Sequence, residues 1–342
     1  MQSRRDFIKS ISRGSAGILV GAIAPAMTRS GIRTEAAYLE RCVFAMGTTV
    51  TISAHGESRE HILHATSLAF DELYRMDKLL SVFRADSDIS RLNGSAGRYE
   101  VTIDSATAQV LSESSRFHDM TRGAFDITIE SLMEAWGFRN EAESMQVVSA
   151  AELKMARAGV GMRHLQVLSG GRAFLENEHV GVDLGGIAVG FTVDRMGAIL
   201  RREGVSSALI NHSGDLLAIG APPDSDGWPV VVPHPWNVAE TLATFMLRDR
   251  AASTSTNTRT IRTVGGMRVG HILNPTTGEN PEGIESVTVL APNSIDADAL
   301  STGLFVRFNK RGEWRNDARE AIVLRTGGEV ERIGGNRHNE GI

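Results

Sequence analysis

Between His164 and Arg325 the chain is written as short β-rich runs: HLQVL, AFLE, GVDL, SALIN, DLLAIG, WPVVV, TFMLR, SVTVL and AIVLR. Two helical stretches interrupt them, Ala188–Glu203 and Asp296–Phe305. A doubly wound parallel sheet requires strands and helices in strict alternation. Clustered strands with few helices argue instead for an α+β fold, with mixed or antiparallel sheets packed with helices.

The N-terminal part reads differently. Cys42–Gly56 (CVFAMGTTVTISAHG) is rich in β-branched residues and ends at glycine, which predicts a strand. Over residues 58–80, Ile62, Ala65, Leu68, Ala69, Leu73, Met76 and Leu80 recur at helical spacing. Ser81–Gly97 is polar and turn-rich, and a second helix is predicted over Ser105–His118. Gly123–Phe138 mixes glycine, aromatics and acids, which predicts irregular chain with a short helix. The linker-like Asn140–Ala150 divides a smaller portion, about 41–140, from a main portion of about 150–330, within one domain spanning 31–342.

The first residues read as an address rather than as structure. Two arginines, Arg4 and Arg5, precede a phenylalanine and a lysine in SRRDFIKS, and a weakly apolar run, Ser15–Met27, follows with small residues at Ala24-Pro25-Ala26. A basic head, a short apolar body and small residues form an export signal, here residues 1–30. The S-R-R-x-F-x-K context resembles the twin-arginine signal, which implies a bacterial periplasmic protein exported already folded. The formal net charge of −5 over 342 residues shows no basic excess that would suggest nucleic acid. No stretch approaches the roughly 20 apolar residues that span a bilayer. The single cysteine, Cys42, excludes an intrachain disulfide.

Several short runs carry chemistry. VDLGGIAVGFTVD, residues 182–194, opens with Asp183, turns at Gly185-Gly186 and starts a helix near Ile187. The unpaired N–H groups of a helix start bind phosphate, and glycines let backbone approach a ligand. A helix-capping Asp183 with tight helix packing accounts for the same residues. NHSGDLLAIG, Asn211–Gly220, is a second glycine turn with His212, Ser213 and Asp215. The hydroxyl-rich Arg250–Thr263 suits either a polar groove or a solvated β-edge. HILNPTTGENP places His271 beside a rigid double turn, where acid–base work is feasible. In DADALSTGLF, Asp298 and Thr302 are four residues apart and share one helical face, which suits a hard cation such as Mg2+. Asp296 as a helix cap, with Asp298 favouring the dipole, is the structural alternative.

Taken in order, MGTTV (Met46–Val50), S-x-F followed by SDISRLN, GAFDIT, VDLGGIAVGF, the NxxGD turn, HILNPTTG and ADALST closely resemble the ApbE-type FAD:protein FMN transferases, from about Val43 to Val323. The resemblance implies a T-fold-like architecture with the flavin site between the two portions. It also implies a periplasmic enzyme that uses Mg2+ to cleave FAD, joins FMN to a threonine hydroxyl of a redox partner and releases AMP. The acceptor would be a flavoprotein such as a NosR-like or Rnf/Nqr-like subunit. By the same resemblance, Asp298, Thr302 and the Gly186 carbonyl would bind Mg2+. Met46, Phe83, Ala124, Phe125, Asp126, Asp183 and Ile272 would line the FAD site, and His271 would move a proton. Val189 stands where most members carry a lysine that contacts FAD. Asn274 replaces a common aspartate, Ser213 a glycine, and Thr254-Ser255-Thr256 a T-S-G run. These departures keep two further readings open: a carrier of FAD or FMN that has lost transfer, and an FAD pyrophosphatase that uses water.

Overall fold

The computed structural model describes residues 37–139, 144–145, 147–258, 260–307 and 320–334. The twin-arginine-like run and five of the eleven residues of the expected linker lie outside these residues. In chain order the strands are β1 (Ala37–Ala45), β2 (Thr48–Gly56), β3 (Val101–Thr102), β4 (Ser144–Met145), β5 (Leu165–Leu168), β6 (Arg172–Leu175), β7 (Ser207–His212), β8 (Asp215–Ile219), β9 (Trp228–Pro233), β10 (Thr241–Leu247), β11 (Ala251–Thr256), β12 (Ile261–Val264), β13 (Met267–Gly270), β14 (Ile284–Ala291), β15 (Glu320–Arg325) and β16 (Val330–Gly334). The helices are α1 (Arg59–Leu80), α2 (Asp88–Gly94), α3 (Ser105–Met120), α4 (Glu130–Ala135), α5 (Ala150–Ala158), α6 (Ala188–Arg202) and α7 (Ser294–Arg307).

Eight strands form one antiparallel sheet in the order β1-β2-β7-β8-β11-β14-β15-β16. Three smaller sheets, β9–β10, β4–β12–β13 and β3–β6–β5, lie outside it, and β4 pairs with β12 in parallel. The architecture is α+β, as the strand clustering predicts.

The central strands of the large sheet are buried almost continuously, because both of its faces are covered. On one, Val50, Ile52, Ile210 and Leu217 pack against Ile62, Leu73, Met196 and Leu200 from α1 and α6. Ser58 caps α1 by accepting from the His61 N–H at 3.1 Å, and Ile62, Ala65, Ala69 and Leu73 form its buried stripe. A second core joins Val287 and Val289 to Leu304 and Phe305 of α7, and to Leu92, Val110, Leu111 and Phe117 of α2 and α3. On the opposite face of the sheet, the β9–β10 hairpin covers Leu209, Leu216 and Leu290 with Trp228, Val230 and Leu247. Among the described residues no helix is long and apolar enough to cross a membrane.

Four local expectations are corrected. Cys42–Gly56 is not one strand, because Met46 and Gly47 adopt left-handed φ of 49° and 77° and fold β1 back on β2. Two left-handed residues make the tight turn that matches strand twist, but it ordinarily carries Asn-Gly or Asp-Gly. Ser81–Gly97 holds α2, started by Ser87, whose hydroxyl accepts from the Ser90 N–H at 2.9 Å. GVDL forms a single bridge, Gly181 to Ile129, rather than a strand. The hydroxyl-rich segment is no edge: β11 lies between β8 and β14, in the interior of the sheet.

Candidate functional site

Two helix starts define the centre. Ile187 provides no side-chain cap for α6, and the Asp298 carboxylate of α7 accepts the Gly190 N–H at 2.9 Å instead. In return, Asp194 of α6 accepts the Ser294 and Ile295 N–H groups of α7 at 2.7 and 2.9 Å. The unpaired N–H groups of a first turn favour a carboxylate both by hydrogen bonding and by the helix dipole. Gly190 is required for this approach: a Cβ there would lie 2.4 Å from the Ser294 carbonyl oxygen and 2.7 Å from Asp298 Cβ. Asp296 is not the cap of α7. Asn293 accepts the Asp296 N–H at 2.9 Å, and the Asp296 carboxylate pairs with Arg116, also at 2.9 Å.

Burial pushes the Asp298 carboxyl well above its usual value, and the neighbouring Asp215 and Asp194 carboxylates push it further. Asp215 is raised to about 6 by burial, opposed by a hydrogen bond from Ser253. Asp194 is raised to about 6, again chiefly by burial. One turn beyond Asp298, Thr302 Oγ1 lies 3.2 Å from Ser255 Oγ, which is itself 2.8 Å from Ser301 Oγ. Gly186 closes this corner: a Cβ on it would sit 3.0 Å from Thr302 Oγ1 and 3.3 Å from the Phe125 ring. Gly186, remote in sequence, is therefore a neighbour of Thr302, which stands one helical turn beyond Asp298. Among the described residues no three His, Cys, Asp or Glu side chains converge as a metal-holding group. A cation here would use hydroxyl and backbone oxygen beside a single carboxylate.

Asp183 sits at the edge of this corner. Its backbone N–H reaches the Ile127 carbonyl at 2.8 Å, and Asn93, from SDISRLN, clamps both backbone groups of Val182 at 2.8 and 2.9 Å. One carboxylate oxygen accepts the Gly185 N–H at 2.5 Å, and the other pairs with Arg139. Arg139 also grips Glu130, with Nε 2.7 Å from Oε1, and its guanidinium carbon lies 5.1 Å from the centre of the Phe83 ring. Phe83 is 77 % exposed. One guanidinium thus serves two carboxylates, and burial together with the nearby Asp183 raises Glu130 to about 7.

His271 faces the same carboxylate. Burial holds its imidazole below the usual value, against the opposing influence of Asp183 and the Thr260 backbone, and Nδ1 is buried without a hydrogen-bond partner. Asn257 pins the backbone of Ile272 at 2.8 and 2.9 Å. Trp136 Nε1 donates to the Gly278 carbonyl at 2.6 Å, which ties the following loop to the end of α4.

Two expected groups stand at the rim. Ala124, Phe125 and Asp126 follow α3, with Phe125 buried against Phe117. Asp126 accepts from Thr128 and lies 3.3 Å from His118 Nδ1, which raises that imidazole above its usual value. Asp126 and His118 line a cavity of about 730 Å3 with Lys154, Arg157, Arg163 and Thr276. Met46 and Val189 of α6 each pack against the core shared by α1, α6 and the sheet, so Val189 sits in an apolar setting. Among the departures, Asn274 accepts the Thr276 and Thr277 N–H groups at 2.9 and 3.2 Å, a turn an aspartate would make equally. Ser213 takes a left-handed φ of 54° and pairs its hydroxyl with Thr48.

Sequence reasoning did not single out Arg139, Glu130 or Asp194. Arg139 follows the WGF turn with no periodic signal, and Asp194 reads as an ordinary polar position of α6.

The sequence profile of the ApbE family matches residues 46–323. A FAD:protein FMN transferase of Klebsiella pneumoniae is 30% identical over 268 residues, 76% of each chain. Its namesake in Vibrio cholerae is 31% identical over 255 residues, 74% of this chain and 76% of that one. The solved ApbE protein of Thermotoga maritima superposes with a TM-score of 0.79 at 29% identity, covering 87% of this chain and 97% of that one. The solved flavin transferase ApbE of Vibrio cholerae gives 0.77 at 25% identity, over 88% and 98%. With most of its length matched in both sequence and fold, the chain belongs to the ApbE family.

Proposed function

We propose that this chain is an FAD:protein FMN transferase, which moves FMN from FAD to a threonine hydroxyl of an exported redox protein and releases AMP, with Mg2+ as its cofactor. The observation that carries the reading is the corner formed by the Asp298 carboxylate, the Thr302 hydroxyl and the Gly186 backbone, in a chain whose relatives bear the name of that activity.

The donors suit the ion. Mg2+ prefers hard oxygen ligands and retains waters, which one carboxylate, one hydroxyl and one carbonyl allow. Burial raises the Asp298, Asp215 and Asp194 carboxyls, and Asp298 is raised further by the other two, so a cation bound beside them would favour their charged forms. When bound, Mg2+ supplies charge neutralisation at the pyrophosphate and polarises the attacked phosphorus.

The rest of the work falls to side chains. His271, kept neutral by burial, takes the threonine proton as Oγ bonds to the FMN-side phosphorus and the P–O bond to AMP breaks. Phe83, Asp183, Phe125, Asp126, Met46, Ala124 and Ile272 hold the dinucleotide around this corner. Val189, apolar and packed against the core, makes no charged contact with it. The twin-arginine-like start supports export to the periplasm.

The test is AMP release and covalent flavin on an acceptor peptide bearing a threonine, measured with Mg2+ or with chelator. Labelled peptide that needs both FAD and Mg2+ is expected. AMP released equally without peptide would identify a pyrophosphatase, and bound FAD with no AMP a carrier.

A further inference from the structure

We infer that Arg139 is a substrate-binding residue of this site: a guanidinium, aimed by Glu130, that donates hydrogen bonds to oxygen acceptors of the flavin nucleotide. This rests on reading the site as one for FAD.

Three observations converge on it. Arg139 touches two groups expected to hold the flavin, the Phe83 ring and the Asp183 carboxylate. The Phe83 ring is open to solvent, and the guanidinium already lies over it. Secondly, Arg139 is fixed rather than free. Its Nε and Nη2 are committed to Glu130, which is buried at the start of α4 with its backbone N–H on the Gly181 carbonyl at 3.3 Å. A bidentate arginine–carboxylate pair sets the plane of the fork. Its Nη1 makes no hydrogen bond within the described residues. Thirdly, Lys154, Arg157 and Arg163 stand at the rim cavity, while Arg139 reaches into the acidic centre. Asp183, Glu130, Asp298 and Asp215 crowd it, Val189 contributes no positive charge, and the dinucleotide is itself an anion. Arg139, only 17 % exposed at its side chain, is the cation that reaches Asp183.

A ring carbonyl of isoalloxazine and a phosphate oxygen offer the same acceptor chemistry to a guanidinium. Titrating FAD, FMN and riboflavin separately distinguishes them, with flavin fluorescence as the readout and a thermal melt on each variant. Arg139→Gln is expected to weaken FAD binding by about tenfold or more, the loss of one charge-assisted hydrogen bond. Arg139→Lys should recover part of that, because it restores charge without the fork. Glu130→Gln should weaken FAD binding less than Arg139→Gln, because the guanidinium remains but is less firmly aimed. Equal weakening for riboflavin assigns the contact to the ring; weakening confined to FAD and FMN assigns it to phosphate. A wild-type Kd for all three ligands in Arg139→Gln, whatever its melting temperature, overturns the inference and leaves Arg139 as a tie between carboxylates. If that variant does not fold, the Glu130→Gln/Arg139→Gln pair removes the stranded charge and its Kd decides in the same way. Wild-type protein that binds FAD but releases no AMP overturns the transferase reading alone; wild-type protein that binds no FAD overturns both.

Discussion

Asp298 on α7 accepts the backbone N–H of Gly190 on α6 at 2.9 Å, so the carboxylate proposed to hold Mg2+ is also the cap of a neighbouring helix. The two duties separate in Asp298→Asn. Its amide oxygen still accepts from Gly190, but its charge is gone. Mg2+-dependent AMP release is expected to fall by at least a hundredfold, with a melting temperature near or above that of wild type, since burying a carboxylate is costly. Asp298→Ala should lose the activity equally and lose the cap, typically worth about 1 kcal/mol. Full turnover in Asp298→Asn at ordinary Mg2+ would remove this residue from the metal site.

Gly190→Ala tests the close approach of the two helices. A methyl group 2.4 Å from the Ser294 carbonyl oxygen cannot be accommodated without moving backbone. Overpacking of this kind costs about 1–3 kcal/mol. Chemical denaturation should show that loss, together with weaker Mg2+ binding by calorimetry, because Asp298 moves with α7. Unchanged stability would mean the helices are not held at this distance.

Stability should depend on pH in an unusual direction when Mg2+ is absent. Glu130 at about 7, and Asp194 and Asp215 at about 6, keep their protons to higher pH when folded than in the unfolded chain, where carboxyls titrate near 4. Between roughly pH 4 and 7 these three groups bind more protons when folded and their contribution to stability falls as pH rises, opposed by His212, which burial lowers to about 4; the three carboxyls together outweigh that one imidazole. Mg2+ binding only to the folded form should offset the fall near neutrality. Melts across this range, with chelator and with Mg2+, check it; a chelated protein that gains stability from pH 5 to 7 contradicts the assignment.

Arg4→Lys combined with Arg5→Lys should leave full-length protein in the cytoplasm. Fractionation of cells expressing the pair against wild type reads this directly, and equal periplasmic accumulation would refute the twin-arginine address.

Local chemistry made part of the site legible in advance. Asp298 and Thr302 are one helical turn apart, so their shared face follows from period alone, and Gly185-Gly186 before an apolar run announces a helix start. What was hidden depends on partners remote in sequence. Arg139 acquires meaning only once Asp183, forty-four residues later, is folded against it. Asp194 looks like a solvent-facing residue of α6 until α7 arrives, one hundred residues on. The turn at Met46 was missed because its left-handed backbone is held by the pairing of β1 with β2, not by a residue that favours it. GVDL has strand composition, yet its backbone is claimed by Asn93 and Ile127, leaving one bridge.

The exchange of carboxylates between α6 and α7 fixes when the cation corner can come into being. Asp298 has no N–H to meet until α6 is formed, and the first turn of α7 is incomplete until Asp194 reaches it. The chain between them supplies β7, β8, β11 and β14, the middle of the large sheet. The corner is therefore incomplete until α7, which follows these strands in the chain, is in place. A nascent chain released before α7 emerges from synthesis would possess most of the sheet and Gly186, but neither Asp298 nor Thr302. A metal ion held as proposed would therefore be taken up only once α7 is in place.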